Sequence, residues 1–562
     1  MAISAVGRTP LARTAALIAA EKRDIGVAVI YSVGAGLLFL ALPIATQSLV
    51  NTVAFGTVLQ PLAVLSVLVF AALSAAALMQ ALRLWVIEMI QRRIFARLAE
   101  HIAGRLLRVK AEAFDSQHGP ELVNRFLEVV TVQKSTALLL ADGLSLAMQV
   151  IIGMLLLAAY HPLLLAFDLG LMVLTAALLF GLGRGATRTS IGESHAKYEV
   201  LAWMEEIATH RSAFRSQTAS QFAATRMRGL VNHYLEERSR HFRILFRQNA
   251  GALALQALAT SALLGIGGWL VIEGQLTLGQ LIAAELVVSL IVSGIAKFGK
   301  SLESWYDLQA AVDKLGYLTD LPVERLTGEP TAHVRGPAAL RLKNVSFEYP
   351  DGQNTVMVPS VDIAAGSTFA FYGPGGSGKS TIMDLLYALR APSRGTIEVD
   401  GVDYREVKLD QLRDGMAMVR DQDIFAGSIL ENVRLGTGAD LSAVRSALDN
   451  VGLLEVVSRM PNGVHTELAT GGSPLSPSQA RRLTIARALL TQPRLLLLDE
   501  VLDRIDDLQL KGPLVRSCFG QDAPWTLIVA TRREDIRSLC QDWAPVAVQH
   551  HEMASAGEGN RA

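Results

Sequence analysis

Six stretches of the chain, at 25–50, 57–82, 143–160, 162–183, 250–272 and 276–296, are apolar and nearly free of charge. A hydrocarbon layer about 30 Å thick needs roughly 20 apolar residues in a helix, so each run is long enough to cross one. Backbone polar groups have no water partner there, which makes a helix the form that each run takes. Only Asp168 and Glu285 interrupt the set, in the fourth and sixth runs. The first run is too long for a secretory signal, and no small-residue cleavage site follows it; it is read as a retained span.

Over 562 residues, 51% are apolar and 19% charged, which argues against a soluble multidomain enzyme. The net charge of zero gives no reason to expect nucleic acid as a partner. Lys and Arg crowd the link between the second and third runs (Arg92, Arg93, Arg97 and Arg105 among them) and the link between the fourth and fifth. The short connections near Asn51, His161 and Gly274 carry none. The two long links and both termini are therefore expected in the cytoplasm. Helical periodicity in the long links predicts that the spans run on as one bundle. The expected organisation is a cytoplasmic segment at 1–24 and a six-helix membrane domain with cytoplasmic extensions at 25–321.

A linker is expected at 322–337, PVERLTGEPTAHVRGP, from its three prolines, two glycines and mixed charge. After it LRLKNVSFEY and TIEVDGVDY alternate like strands, with helical stretches such as STIMDLLYALR between them. That alternation predicts a cytosolic α/β domain over 338–548. The tail at 549–562 is too polar to pack and is expected to be disordered. Cys518 and Cys540, the only cysteines, read as small buried apolar residues.

The stretch FYGPGGSGKST places Gly373, Pro374, Gly375, Gly376, Ser377, Gly378, Lys379, Ser380 and Thr381 in the order G-x-x-x-x-G-K-[ST] between a strand and a helix. Glycines let the backbone curl so that its N–H groups face phosphates; Lys379 adds charge and Ser380 a hydroxyl for Mg²⁺. A mere glycine-rich turn does not account for the flanking strand and helix. Apolar residues 495–498 lead to Asp499 and Glu500. An acid at a buried strand tip grips Mg²⁺ in P-loop folds, and a second beside it can polarise the attacking water. The reading is ATP with Mg²⁺ held through Ser380 and Asp499, and Glu500 as the catalytic group.

With these motifs in place, the chain resembles a half-size ATP-binding cassette (ABC) exporter, a membrane all-α six-helix domain fused to a cytosolic P-loop NTPase domain. FDSQHGPELVNRF and GGWLVIEGQLTLGQL resemble the family's segments before the third span and between the last two. The resemblance implies that Tyr349 is the adenine-stacking aromatic and Asp506 the D-loop aspartate. It implies a second half-transporter as partner, in a homodimer or with a sister chain. Each ATP would then lie between one chain's phosphate loop and the other's signature residues Ser476, Ser478 and Gln479. Short cytoplasmic helices around 114–121 and 202–209 would transmit closure to the spans.

Four positions depart from the family's pattern. LSGGQ is replaced by Leu475-Ser476-Pro477-Ser478-Gln479; Ser476 still suits an N-cap and Pro477 the first helical position, at the loss of one N–H donor. The glutamine position falls on Arg420, which would repel Mg²⁺ yet could fork onto phosphate; Gln422 is the alternative in a shifted register. The switch histidine falls on Thr531, whose hydroxyl could still reach the γ-phosphate. Thr470 replaces a glutamate. Holding groups remain and sensing groups are altered, which points to slow or asymmetric hydrolysis.

Asp168 and Glu285 read either as a pair lining a transport path for a cationic or amphipathic substrate, or as snorkelling acids near the interface. Similar half-exporters move lipids, drugs, peptides or, with a periplasmic adaptor, proteins; a leader-peptide-cleaving domain is not expected. High Ala, Leu and Arg usage suggests a bacterium, hence its inner membrane. The first reading is ATP-driven export of a hydrophobic, lipid-like or peptide substrate. The second is a non-pumping ATP-gated regulator or degenerate subunit. A soluble kinase-like P-loop enzyme has no use for six spans.

Overall fold

The computed structural model of the chain describes residues 9–55, 59–115, 119–325, 327–330, 335–349, 354–421, 423–546 and 548–550. They fall into two compact units divided between Pro322 and Val323, with Lys110–Glu112 grouped with the second.

The α-helices of the first unit are α1 Pro10–Ala20, α2 Lys22–Phe39, α3 Ala41–Phe55, α4 Leu59–Leu106, α5 Gly119–Asn124, α6 Glu128–Leu138, α7 Leu144–Tyr160, α8 Pro162–Leu182, α9 Ala186–Thr209, α10 Gln217–Ile272 and α11 Leu278–Thr319. Five stretches, Lys22–Asn51, Leu62–Leu106, Leu122–Tyr160, Pro162–Leu182 and Gln217–Ile272, are long and apolar enough to cross a membrane. The sixth apolar run lies on α11, whose apolar stretch Leu278–Ile291 is shorter. The first run is divided at Leu40, between α2 and α3. Pro43 explains the break: it has no N–H to offer the carbonyl of Phe39, and its ring crowds that carbonyl.

The periodicity of the long links carries through. Helix α4, with 48 residues, and α10, with 56, each join an apolar run to a polar link without interruption. At 1.5 Å per residue they are about 72 and 84 Å long. Around 202–209 the outcome differs from expectation, because these residues are the last two turns of α9 and not a separate short helix. Among 114–121, residues 116–118 lie outside the described residues, and α5 begins at Gly119. Leu157, Leu164, Leu263 and Val287 pack where α7, α8, α10 and α11 meet. Phe70, Trp85 and Phe180 instead point outward. Bulky apolar groups on the outside suit a surface solvated by lipid.

The second unit contains β1 Leu340–Glu348, β2 Asn354–Met357, β3 Val361–Ile363, β4 Thr368–Tyr372, α12 Lys379–Leu386, β5 Arg394–Val399, β6 Val402–Asp403, α13 Leu409–Asp414, β7 Met416–Val419, β8 Gly427–Ser428, α14 Ile429–Arg434, α15 Leu441–Asn450, α16 Leu454–Ser458, β9 Glu467–Leu468, α17 Pro477–Leu490, β10 Leu495–Asp499, α18 Pro513–Phe519, β11 Thr526–Thr531, α19 Glu534–Arg537, β12 Asp542–Pro545 and β13 Val548–His550. Strands β12, β4, β11, β10 and β7 form a parallel sheet in that order. A second, antiparallel sheet runs β13-β2-β1-β5-β6, with β3 also on β1.

Every residue of β10 and β11 is buried, the pattern of parallel strands covered on both faces. Alternation sorts their side chains. Leu495, Leu497, Ile528 and Ala530 pack with Ile382 and Met383 of α12. Leu496, Leu498, Leu527 and Val529 pack with Leu483 and Ala486 of α17. The linker segment is held on this unit: Arg413 makes a forked ion pair with Glu324 at 2.6 and 2.8 Å. At the other end Gln549 and His550, expected in the tail, pair instead with Thr355 and Asn354 of β2; residues 551–562 lie outside the described residues.

Candidate nucleotide-binding site

Four parallel strands end at one edge of the sheet and deliver the site. β4 opens into the 373–378 loop, β11 ends at Thr531, β10 at Asp499, and β7 at Val419 just before Arg420. The carboxyl ends of such strands, where the chain crosses to helices, are where open α/β sheets bind ligands.

The loop needs its glycines. Gly376 and Gly378 have φ of 78° and 92°, a left-handed region that side chains disfavour. A Cβ on Gly378 would also lie 2.7 Å from Val356 Cγ1, and one on Gly373 2.8 Å from the Val546 carbonyl oxygen. Gly378 caps α12 without a side-chain bond, so the first N–H groups of that helix remain for an anion. Lys379 is 2% exposed. Its Nζ donates to the carbonyls of Gly373 (2.8 Å) and Pro374 (2.6 Å) and lies 3.2 Å from Glu500 Oε1.

Ser380 Oγ donates to Asp499 Oδ1 at 3.1 Å. The other oxygen of Asp499 accepts from Arg420 Nε at 2.6 Å. Arg420 Nη2 donates to Asp384 Oδ1 at 2.6 Å and to the Ser380 carbonyl at 3.1 Å. Register explains the pairing: β10 and β7 align Leu498 with Val419, so the next residues, Asp499 and Arg420, emerge side by side. Burial works against the guanidinium's charge, but the carboxylates of Asp384 and Asp499 outweigh it and raise its pKa. Ser380 and Asp499 are the right donor types for Mg²⁺, yet the third position holds a cation bonded to both residues. A dication brought to Asp499 would be repelled by that guanidinium. The set as arranged does not fit Mg²⁺. Gln422 lies outside the described residues.

On the far side of Asp384, Arg390 Nε donates to its Oδ2 at 3.1 Å, and the Arg390 guanidinium stacks 5.6 Å from the Tyr349 ring. The Tyr349 hydroxyl and Thr381 Oγ1 are 2.6 Å apart. Asp384 and Arg390, not singled out in the sequence, thus join the expected aromatic to the expected acid. Nothing in motif spacing marks them; the signal is an acid one helical turn beyond Ser380.

Glu500 has φ of 52°, a strained value for a residue with a side chain. Its carboxylate lies among Lys379, Arg532 (3.3 Å) and Arg504 (3.9 Å). Thr531 does not present its hydroxyl freely: Oγ1 donates to Asp503 Oδ1 at 2.5 Å and accepts from the Arg533 N–H at 3.0 Å. Asp503 Oδ2 accepts the Arg532 N–H at 2.7 Å. Burial, aided by Glu500, lifts the Asp503 carboxyl above its usual range, and the bonds from Thr531 and Arg532 pull the other way.

The signature segment folds as its residues suggest. Ser476 Oγ accepts the Gln479 N–H, and Gln479 Oε1 accepts the Ser476 N–H, a capping box with Pro477 at the first helical turn of α17. Ser478 Oγ accepts the Asp506 N–H at 3.3 Å, which brings together residues expected in the signature and in the D-loop. Arg504 pairs with Asp421 at 3.2 Å and Arg481 of α17 with the same carboxylate at 3.4 Å. An ionic path thus runs from Glu500 through Arg504 and Asp421 to α17.

In the membrane unit Asp168 is 2% exposed, and neither carboxylate oxygen has a hydrogen-bond partner among the described residues. It lines a cleft of about 200 Å³ with Val150, Met154, Leu171 and Phe180. Glu285 on α11 is exposed, so the two acids differ in environment.

A phosphate loop, an acid pair at a neighbouring strand tip and a capped helix, carried on one chain with long apolar helices, define a membrane-embedded P-loop nucleotide-binding protein. Residues 342–503 match the family described as ABC transporter, and residues 25–295 match the ABC transporter transmembrane region. Together these take in most of the chain, which belongs to the ABC transporters and has the half-size exporter order of one membrane region followed by one ATP-binding domain.

An uncharacterized ABC transporter ATP-binding protein of Bacillus subtilis is 31% identical over 47% of this chain and 47% of its own length. The ATP-dependent lipid A-core flippase of Ralstonia nicotianae is 31% identical over 54% and 52%. The chain spans about half the length of the curated relatives it matches. The structure of a bacterial Atm1-family ABC exporter with ATP bound has the same fold, with a TM-score of 0.83 over 94% of each chain at 20% identity.

Proposed function

We propose that this chain is one half of a dimeric ATP-driven exporter of the bacterial inner membrane, with its nucleotide-binding domain in the cytoplasm. Its cargo class is hydrophobic, lipid-like or peptide, and a periplasmic adaptor is an optional partner. The carrying observation is the convergence of the 373–381 loop, Asp499 and Glu500 at one sheet edge, with Lys379 reaching Glu500 at 3.2 Å. Of the groups that would respond to the γ-phosphate, Thr531 is engaged by Asp503, and Arg420 is tied through Nε to Asp499 instead of offering an acceptor oxygen. That supports slow or asymmetric hydrolysis. The partner is a second copy or a more orthodox sister chain. The test is ATP-dependent movement of a fluorescent lipid or lipophilic dye in vesicles carrying the chain alone or with a second half-transporter from the same organism. Movement by the chain alone supports the homodimer, and movement only with the second chain the heterodimer.

The same engaged residues favour a second reading, a non-pumping ATP-gated regulator built on this scaffold. ATP binding with no cargo movement in either preparation would select it.

A further inference from the structure

Arg420 occupies the place where the donor set for a metal would close. Arginine offers five N–H donors and no acceptor, so unlike glutamine it cannot ligate a cation. Two of its nitrogens are fixed, Nε on Asp499 at 2.6 Å and Nη2 on Asp384 and the Ser380 carbonyl at 2.6 and 3.1 Å. Nη1 makes no hydrogen bond among the described residues, and the side chain is 41% exposed. A guanidinium pinned on one side and open on the other is a preorganised clamp for a phosphate oxygen. Its Nη2 is anchored on the carbonyl of Ser380, in the first turn of α12, the helix that begins with Lys379.

We propose that Arg420 takes the place of the magnesium ion, so that this chain's phosphate loop binds a nucleoside triphosphate as the metal-free polyanion. The proposal rests on the nucleotide-binding reading above. One cation is built into the chain, held by two carboxylates, and places a fixed positive charge with its own N–H fork where other sites recruit a soluble dication. A glutamine at 420 would return an acceptor oxygen and free Asp499 Oδ2. Asp384 would keep Arg390 at 3.1 Å, so the variant retains a partner for that buried acid.

The test uses the full chain in lipid nanodiscs and a fluorescent ATP analogue, titrated with excess magnesium and with excess EDTA. The two Kd values of the unaltered chain are expected to agree within about threefold. In Arg420→Gln, EDTA is expected to weaken binding at least about tenfold. Manganese paramagnetic resonance is the second readout: with ATP, immobilised Mn²⁺ is expected in Arg420→Gln and not in the unaltered chain. Loss of more than about threefold in the unaltered chain on adding EDTA overturns the proposal while leaving a nucleotide site. So does bound Mn²⁺ in the unaltered chain, or indifference of Arg420→Gln to EDTA. No binding under either condition overturns the nucleotide-binding reading and this proposal with it.

Discussion

The hydroxyl of Thr531 lies 2.5 Å from Asp503 Oδ1, a bond between the end of β11 and the turn after β10. With the Arg533 N–H donating to the same hydroxyl, the side chain at the switch position is spent inside the chain. Replacement of Thr531 by Val keeps the shape and removes the donor. It is expected to leave ATP affinity within about threefold and to destabilise the domain by about 1 kcal/mol, the cost of removing one hydrogen bond from a half-buried carboxylate that keeps the Arg532 N–H. Thermal unfolding and nucleotide titration check both; a tenfold affinity loss would instead put the hydroxyl on phosphate.

Glu500→Gln keeps the volume of the side chain and removes the charge that Lys379 and Arg532 face. Any ATPase activity of the assembled transporter at this site should fall at least about 100-fold, the scale of a lost general base. Affinity should hold within about threefold, because the loop and Lys379 are untouched. Phosphate release and equilibrium binding on one preparation separate the two; undiminished release would remove Glu500 from the chemistry.

Burial pushes the thiols of Cys518 and Cys540 up to about 12. The thiolate is the reactive form, so the native chain at pH 8 should be silent to a thiol-titrating reagent and yield both thiols after denaturation. The sign for stability follows. Unfolded thiols ionise near their ordinary value of 9.0 while the folded ones hold their protons. Their contribution is therefore full below pH 9 and is lost as pH rises towards 12. Rapid labelling of the native chain at pH 8 would contradict this.

Among the described residues, neither buried oxygen of Asp168 has a hydrogen-bond partner. A charge so placed costs stability unless a ligand meets it. Asp168→Asn should raise the unfolding temperature in detergent by about 1–2 °C, since about 1 kcal/mol corresponds to roughly 2–4 °C for 150–250 residues and to less for a larger unit. A lipophilic cation should stabilise the parent more than the variant. Equal stabilisation of both would leave Asp168 without a part in cargo binding.

Much of this was legible from residues alone, because the physics involved is local. Run length marks five helices long and apolar enough to span, the glycines of 373–378 mark a tight loop before α12, and Ser476 with Gln479 announces the cap of α17. The fate of Arg420 was half legible. Its clash with magnesium follows from charge, but its bond to Asp499 follows from the register of β7 on β10, which no window of sequence contains. Thr531 was expected to face phosphate, while Asp503 claims it from a turn whose path is set by the positive φ of Glu500. The break at Leu40 was open to reading from Pro43. The continuity of α9 through 202–209 was not, since neither composition nor a cap sets those residues apart.

Helix α10 has no proline from Gln217 to Ile272, and prolines are the usual place for a helix to fold sharply. With Gly251, Gly265, Gly267 and Gly268 among the places along it where a bend would cost least, it is continuous enough to carry displacement from its polar end to its apolar end. The pivots are left to the short breaks, at His161 between α7 and α8 and at Gly274, whose φ is 72°. Stiffening those corners should arrest motion more effectively than any change along the shaft.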